Sequence, residues 1–265
     1  MAESRSDTAA AHRPAIEHVL QVMRAGLHEP LALEVLAAEA YLSPFHFSRV
    51  FRQITGSPPG EFLSALRLDA ARRLLLTSGL SVTEVCYEVG YASLGTFTTR
   101  FTEHVGVPPA ALRRLVAEFE PARLTAIGRS LVRRAPAAGV VSGHIYSPLS
   151  RRGTICVGLF PRAIPQGMPV ACAQLAAPGP FRIEGVPDGT YYTLAASLPW
   201  SDDPLAYLAP GAELLVANSG AGVHVRGGAA HAPVQLLLRQ VASTDPPIVA
   251  SLPLLLARWS APGTR

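Results

Sequence analysis

Three cysteines, the histidines and a few carboxylates are the side chains here that could do covalent or metal chemistry. Cys86, Cys156 and Cys172 fall in no C-x-x-C or Cys/His spacing of a metal site. His144, His224 and His231 are likewise not spaced as zinc ligands. A reactive thiol needs basic or histidine neighbours, and Cys156 and Cys172 sit in apolar runs instead, so a DNA-repair alkyltransferase is disfavoured. The acids Glu184, Asp188, Asp202, Asp203, Glu213 and Asp245 include one in a Pro187-Asp188-Gly189 turn, where Pro sets φ and Gly189 accepts a positive φ, and two in "WSDDP". No G-x-S-x-G elbow is present, and the glycine-rich "NSGAGVHVRGG" at 218–228 lacks both nucleotide fingerprints and reads as a hairpin turn. The expectation is a non-enzyme with no cofactor, no metal and cysteines that act as small buried hydrophobes.

The remaining polar chemistry belongs to arginine. All 23 basic residues are Arg, and they exceed the 19 acids by only four. Residues 1–134 hold 15 Arg against 13 acids, and the rest hold 8 against 6. Charge alone therefore names no partner. Hydrophobic residues at 49% and charged residues at 16% argue for folded domains rather than disorder. The longest apolar runs, such as "LPLLLA" at 252–257, are too short to cross a bilayer. No signal peptide is visible, which leads us to expect no membrane partner and a cytoplasmic, reducing location.

The elements that position these residues follow from a repeat. "YLSPFHFSRVFRQITGSPP" at 41–59 returns as "YASLGTFTTRFTEHVGVPP" at 91–109. Tyr41, Ser43, Phe47, Phe51 and Gly56 map onto Tyr91, Ser93, Phe97, Phe101 and Gly106. Phe47, Val50, Phe51 and Ile54 fall at i, i+3, i+4 and i+7, the stripe of a buried helix face. Ser43 before Pro44 is an N-cap before a first-turn proline, and Gly56 stands where a C-cap glycine belongs. The spacing predicts a short helix, a turn at 40–43 and a helix over 44–55, then a second set at 81–88 and 93–105. Between them a helix over 58–76, roughly 28 Å long at ~1.5 Å per residue, acts as connector. Tyr41 and Tyr91 are expected to pack in their turns, and Cys86 in the core of the second unit.

Beyond "APAAG" at 135–139 the period changes. Short β-type runs recur between turns: "VVSGHIYS", "GTICVGLF", "MPVACAQL", "FRIEGVPDGTYYTLAAS", "ELLVA", "GVHVR" and "APVQLLLR". Phe181 and Ile183, and Tyr192, Leu194 and Ala196, alternate as inward rows would. About seven strands with this spacing predict an all-β sandwich. The fold class expected is multidomain α and β. An N-terminal all-α pair of helix-turn-helix units spans 14–120, and a basic Pro-Ala-Gly linker 121–139. A β-sandwich over 140–242 and a Pro-rich tail over 243–265, packed or ending in a short helix, complete the chain.

A helix, a turn and a second helix with one buried stripe is a unit whose second helix can enter the DNA major groove. Residues 16–115 resemble the AraC/XylS-type DNA-binding domain. The matching runs are "LALEVLAAEAYLSPFHFSRVFRQITGSPPGEFLSALRLDAARRLL" and "SVTEVCYEVGYASLGTFTTRFTEHVGVPPAALRR". The resemblance implies a transcription regulator bound to double-stranded DNA through two helix-turn-helix units. It places Phe45, Ser48 and Arg49 at base-reading positions, with His46 and Arg52 nearby. In the second unit it places Leu94, Gly95, Thr96 and Thr99 there. The sequence departs from the family at position 99, often Arg, where Thr99 precedes Arg100. Arg52 and Arg100 are phosphate contacts or solvated charges; Ser93 can hold phosphate. Arg67 and Arg72 can pair with acids in the connector. Arg113, Arg114 and the acid-free stretch Arg123, Arg129, Arg133 and Arg134 are candidate backbone contacts.

"GPFRIEGVPDGTYYTLAA" resembles a hairpin of carboxypeptidase regulatory-like or transthyretin-like β-sandwiches. Such a module implies assembly, through a homodimer or contact with another protein; RNA polymerase is a candidate partner of the regulator as a whole. The alternative is a small-molecule effector sensor, with Tyr191, Trp200, Asp202 and Tyr207 as its rim.

Overall fold

The computed structural model describes residues 2–117, 139–149, 153–201, 203, 205–211, 213–230 and 232–250. The chain divides into two compact units, one of residues 1–112 with 242–249 and one of 113–241 with 250–265. The first is helical and the second β-rich. No described helix is long and apolar enough to cross a membrane.

The helical unit contains α1 (Ala2–Ala25), α2 (Leu33–Glu39), α3 (Pro44–Thr55), α4 (Pro59–Thr77), α5 (Val82–Glu88) and α6 (Leu94–Val105). A further helix, α7 (Pro109–Ala117), begins in it. The helical pattern expected from Pro14 onward starts at Ala2, and Pro14 lies inside α1. Ile16, Val19, Leu20 and Met23 of α1 join Leu36, Phe47, Val50, Phe51 and Phe62 in one buried cluster. Phe51 meets Phe62 edge-on at 5.5 Å, a geometry that suits the ring quadrupoles. Around α5 and α6, Val85, Cys86, Val89, Phe97, Phe101 and Val105 are fully buried. Truncating such a phenylalanine to Ala costs about 3–5 kcal/mol.

The connector α4 turns a different face inward than its leucines suggest. Phe62, Leu63, Ala65, Leu68, Ala71, Arg72 and Leu75 are buried. Arg72 belongs to that stripe because its charge is partnered. It bonds Asp69 one turn away and donates from Nη1 to the Val249 carbonyl at 3.4 Å. Burial pushes its pKa down against the pull of Asp69. Residues 242–249 thus group with the helices; all but the first belong to the Pro-rich tail that was expected to pack or to end in a short helix. Arg24 donates to the Ser243 carbonyl at 2.5 Å. Residues 251–265 and the linker residues 118–138 lie outside the described residues.

The β-rich unit carries β1 (Gly139–Tyr146), β2 (Gly153–Phe160), β3 (Ala171–Leu175), β4 (Gly179–Val186), β5 (Gly189–Pro199), a short α8 (Leu205–Leu208), β6 (Leu215–Asn218), β7 (Val223–Arg226), β8 (Ala229–Ala230), β9 (Val234–Leu237) and β10 (Arg239–Gln240). These ten described strands form one curled sheet, where about seven were expected. β5 is its hinge. Its first residues pair with β7, and the rest pair with β2 on one side and β6 on the other. β1 pairs antiparallel with β4 and parallel with β9. Val141, Ile145, Phe181, Ile183 and Leu236 share a core with Val157, Leu159, Ala195 and Leu215.

Two local readings are corrected here. The inward row of β5 is Tyr191, Thr193 and Ala195, while Tyr192 and Leu194 stay half-buried on the other face. Ala196 is also buried, so both faces of this strand are partly covered and its alternation carries no unique phase. Gly189 of the Pro-Asp-Gly turn, expected to accept a positive φ, does not take one; the nearest positive φ is at Gly185 within β4 (77°). Asp188 has a longer reach than its own turn. Its carboxylate accepts Gly227 N–H at 3.0 Å and Gly228 N–H at 3.4 Å, pinning the β7–β8 turn.

Candidate nucleic-acid interface

The helix following each turn is started by a serine. Ser43 Oγ accepts the His46 N–H at 3.4 Å, with Pro44 at the first helical position. Ser93 Oγ accepts the Thr96 N–H at 3.4 Å. Each helix ends at a left-handed glycine, Gly56 at φ 80° and Gly106 at φ 96°. α5 has a full capping box, in which Ser81 Oγ accepts Glu84 N–H and Glu84 accepts Ser81 N–H at 2.7 Å. That bond holds the Glu84 carboxyl below its ordinary pKa.

Burying Phe47, Val50, Phe51 and Thr55 leaves the opposite face of α3 open. Phe45 is 84% exposed, and Arg49 and Arg52 are exposed with Ser48 half-buried beside them. The offsets i, i+3, i+4 and i+7 put these four on one face. An exposed aromatic among guanidinium groups is an apolar and cationic surface, suited to thymine methyls, guanine edges and phosphates. His46 departs from this set. Its ring meets His12 of α1 edge-on at 5.3 Å, and its Nε2 is buried without a hydrogen-bond partner. It faces the helix behind α3 rather than the open face.

On α6 the buried stripe is Phe97, Phe101 and Val105. Leu94, Gly95, Thr96, Thr99 and Arg100 are exposed together with Ser93. Glu103 also lies exposed here, seven residues after Thr96, and sequence reasoning passed it over. Its signal was the helical offset. Leu94 and Gly95 offer no paired donors, so this face is less cationic than that of α3. Arg113 and Arg114 lie on α7, half-buried and exposed respectively; Arg123, Arg129, Arg133 and Arg134 lie outside the described residues.

The turn preceding α3 holds a residue whose place was misread. Tyr41, expected to pack, is 95% exposed and has φ 55°. It is the single described non-glycine residue with positive φ. Tyr91 does pack, with its ring 5.3 Å from Phe97. Arg72 pairs with Asp69 within the connector, whereas Arg67 bonds backbone carbonyls.

In the β-rich unit, the three described residues of the four read as a rim differ in environment. Tyr191 is in the core, and Tyr207 is buried with its hydroxyl accepting Ser201 N–H at 2.7 Å. Trp200 is exposed, and Asp202 lies outside the described residues. Asp203 accepts the Leu205 N–H at 2.9 Å, the role of a helix cap. All three cysteines are buried and free. Burial pushes the Cys156 and Cys172 thiols up to about 12.

Residues 36–115 match the helix-turn-helix domain family. The chain is 33% identical over 111 residues to the HTH-type transcriptional regulator GlxA of Rhizobium meliloti (strain 1021), covering 42% of this chain and 34% of that one. It therefore spans about a third of the length of that relative. With the HTH-type transcriptional activator AarP of Providencia stuartii it shares 30% identity over 98 residues, 37% of this chain and 73% of that protein. It is also similar to a transcriptional regulator from Chromobacterium violaceum of the AraC-type DNA-binding domain-containing proteins. The identity there is 26%, covering 40% of this chain and 95% of that one, with a TM-score of 0.38. Through its doubled, serine-capped and phenylalanine-anchored helical unit, the chain belongs to the AraC-type helix-turn-helix family of transcriptional regulators.

Proposed function

We propose that the chain regulates transcription by binding duplex DNA with α3 and α6 in successive major-groove segments, through a reader of residues 14–120. One observation carries the reading: two helices with the same cap, the same paired phenylalanines and the same end glycine present different outward residues. Shared anchors keep one fold, and differing outward residues face different DNA. Phe45 presses on a thymine methyl, and Arg49 donates two hydrogen bonds to guanine, with Ser48 beside them. Arg52, Ser93 and Arg100 hold phosphate. Leu94, Gly95, Thr96 and Thr99 supply close contact with looser base choice. The chain acts by binding rather than catalysis, in the cytoplasm, with RNA polymerase as a candidate further contact.

For the β-rich unit the same reading is an assembly module of the carboxypeptidase regulatory-like sandwich type that joins two copies of the chain. Its support is an exposed pair on neighbouring strands. Tyr146 and Leu237 are register partners, 49% and 63% exposed, and His144 stacks on Tyr146 at 4.5 Å. Sedimentation of the chain with and without Leu237→Asp tests this, and a monomer in both cases removes it.

The central claim is tested by selecting binders from random duplexes with a fragment of residues 14–120. One bipartite motif is expected, bound less tightly as salt rises because phosphate contacts release counterions. A folded fragment that enriches no sequence would falsify the reading.

A further inference from the structure

The middle of α4 carries a guanidinium spent on backbone rather than on solvent or on acid. Arg67 Nε donates to the Leu27 carbonyl at 2.8 Å and Nη2 to the Glu29 carbonyl at 2.7 Å. Those carbonyls belong to the loop after α1, and α1 shares one core with α2 and α3. The second unit closes on the same point from the other side. Gly90, in the turn between α5 and α6, has φ 80°, and a Cβ there would stand 2.3 Å from the Leu27 oxygen and 3.1 Å from Arg67 Cζ. One turn earlier on α4, the Ser64 hydroxyl lies 3.5 Å from the Tyr91 hydroxyl.

We propose that Arg67 is a positioning residue that locks the two recognition helices at one separation and rotation, and so sets the operator spacing the protein accepts. The inference rests on the DNA-reading function above. A guanidinium delivers its N–H groups in a rigid planar fork, so two bonds to one loop fix direction as well as distance. The Leu27 carbonyl is shared, being both the acceptor of Arg67 and the wall against Gly90. A shift of the first unit is therefore felt by the second without passing through either core. Adding one base pair between half-sites moves the second target by roughly 3.4 Å and turns it by about 35°. A locked pair of helices cannot follow that movement, and a loosened pair can.

Two measurements test this on the full chain. Spin labels are placed at Gln53→Cys and Glu103→Cys, equivalent positions on α3 and α6, since the three native thiols are buried. The label distance in the free protein is expected to be single and narrow, and to broaden in Arg67→Met. Arg67→Lys keeps the charge but loses the fork, and is expected to give an intermediate width; it decides the matter should Arg67→Met fail to fold. On a selected operator, one inserted base pair is expected to weaken the unsubstituted protein roughly 30-fold or more, as several base contacts are lost. The same insertion is expected to weaken Arg67→Met fewer than about 5-fold, no more than one lost contact. Unchanged distance widths in both variants overturn the proposal, as does an unchanged spacing penalty beside a uniform loss of affinity. Failure of the unsubstituted protein to bind any duplex sinks the DNA-reading function instead, and the label distances still judge the lock.

Discussion

Tyr41 and Gly90 occupy the same backbone station, the left-handed residue that ends the first helix of each helix-turn-helix unit, at φ 55° and 80°. A glycine takes this conformation freely, whereas an L-residue with a Cβ pays about 1–2 kcal/mol. The two stations also differ in surroundings. Gly90 is walled by the Leu27 carbonyl, and Tyr41 points almost wholly into solvent.

Substitution at the two stations should therefore move stability in opposite directions. Tyr41→Gly should leave the protein as stable or more so by up to about 1 kcal/mol, since relief of strain outweighs the added chain entropy of glycine. Gly90→Ala should destabilise by about 2–4 kcal/mol, from positive φ and the close carbonyl together. Urea unfolding of both variants checks the pair, and equal losses would show that the stations are not equivalent.

That asymmetry shows where the sequence was legible. Ser43, Gly56 and Ser93 were readable as caps because each acts within three or four residues of itself. The phenylalanine stripes were readable because one face is buried and the other open. Tyr41 was not, because a fixed offset of fifty aligns it with Tyr91. α2 ends at Glu39 and α5 at Glu88, so the turns are out of step by one residue and the tyrosines diverge. The phase of β5 was hidden for another reason, that both of its faces are covered. The pairing of Arg72 with an acid of the connector was legible, but its burial was not, because the Val249 carbonyl that also receives it comes from a distant part of the chain.

The faces of α3 and α6 should contribute unequally to base choice. Arg49→Ala should cost roughly 1–3 kcal/mol of binding and relax one base pair of the selected motif. Thr99→Ala should cost less and leave the motif unchanged. Selected motifs should show one sharp and one diffuse half, and two equally sharp halves would refute the assignment for α6.

Removing Asp69 should be severe although it is a single surface-proximal acid. Asp69→Ala leaves the Arg72 guanidinium buried without its counter-charge, a loss of about 3–5 kcal/mol for a broken buried pair. Asp69→Ala with Arg72→Met should recover much of that loss. Denaturant midpoints of the single and double variants give the comparison, and strict additivity would show that the pair is not coupled.

The capping box of α5 sets an acid limit. The Glu84 carboxyl has a lowered pKa in the fold, so its contribution is present above the unfolded carboxylate value and is lost as pH falls through the folded value. Glu84→Gln should flatten that part of the stability–pH profile, and Ser81→Ala should cost about 1 kcal/mol at neutral pH. A profile identical in shape for Glu84→Gln would show that other carboxyls dominate.

The two β-unit thiols set an alkaline one. With folded values raised to about 12, Cys156 and Cys172 favour the fold fully below the unfolded thiol pKa. That advantage declines as pH rises through the window between the two values. At neutral pH a thiol reagent should modify neither until the unit unfolds, and rapid labelling of the native chain would contradict their burial.

The pairing of β1 with β9 has a consequence for biosynthesis. Gly143 lies beside Val234 and Ile145 beside Leu236, so an early strand of the β-rich unit completes its sheet only against one made some ninety positions later. Closing so long a loop is slow compared with forming the local contacts of the helices. On a ribosome, chain emerges N-terminal end first, and domains fold as units when they appear. The helical unit's first seventy-seven residues, with contacts mostly between neighbouring helices, are out and organised while β1 still waits as an unpaired edge. In that interval a nascent chain exposes a sticky strand, and chaperone demand during synthesis should fall on the strands and spare the helices.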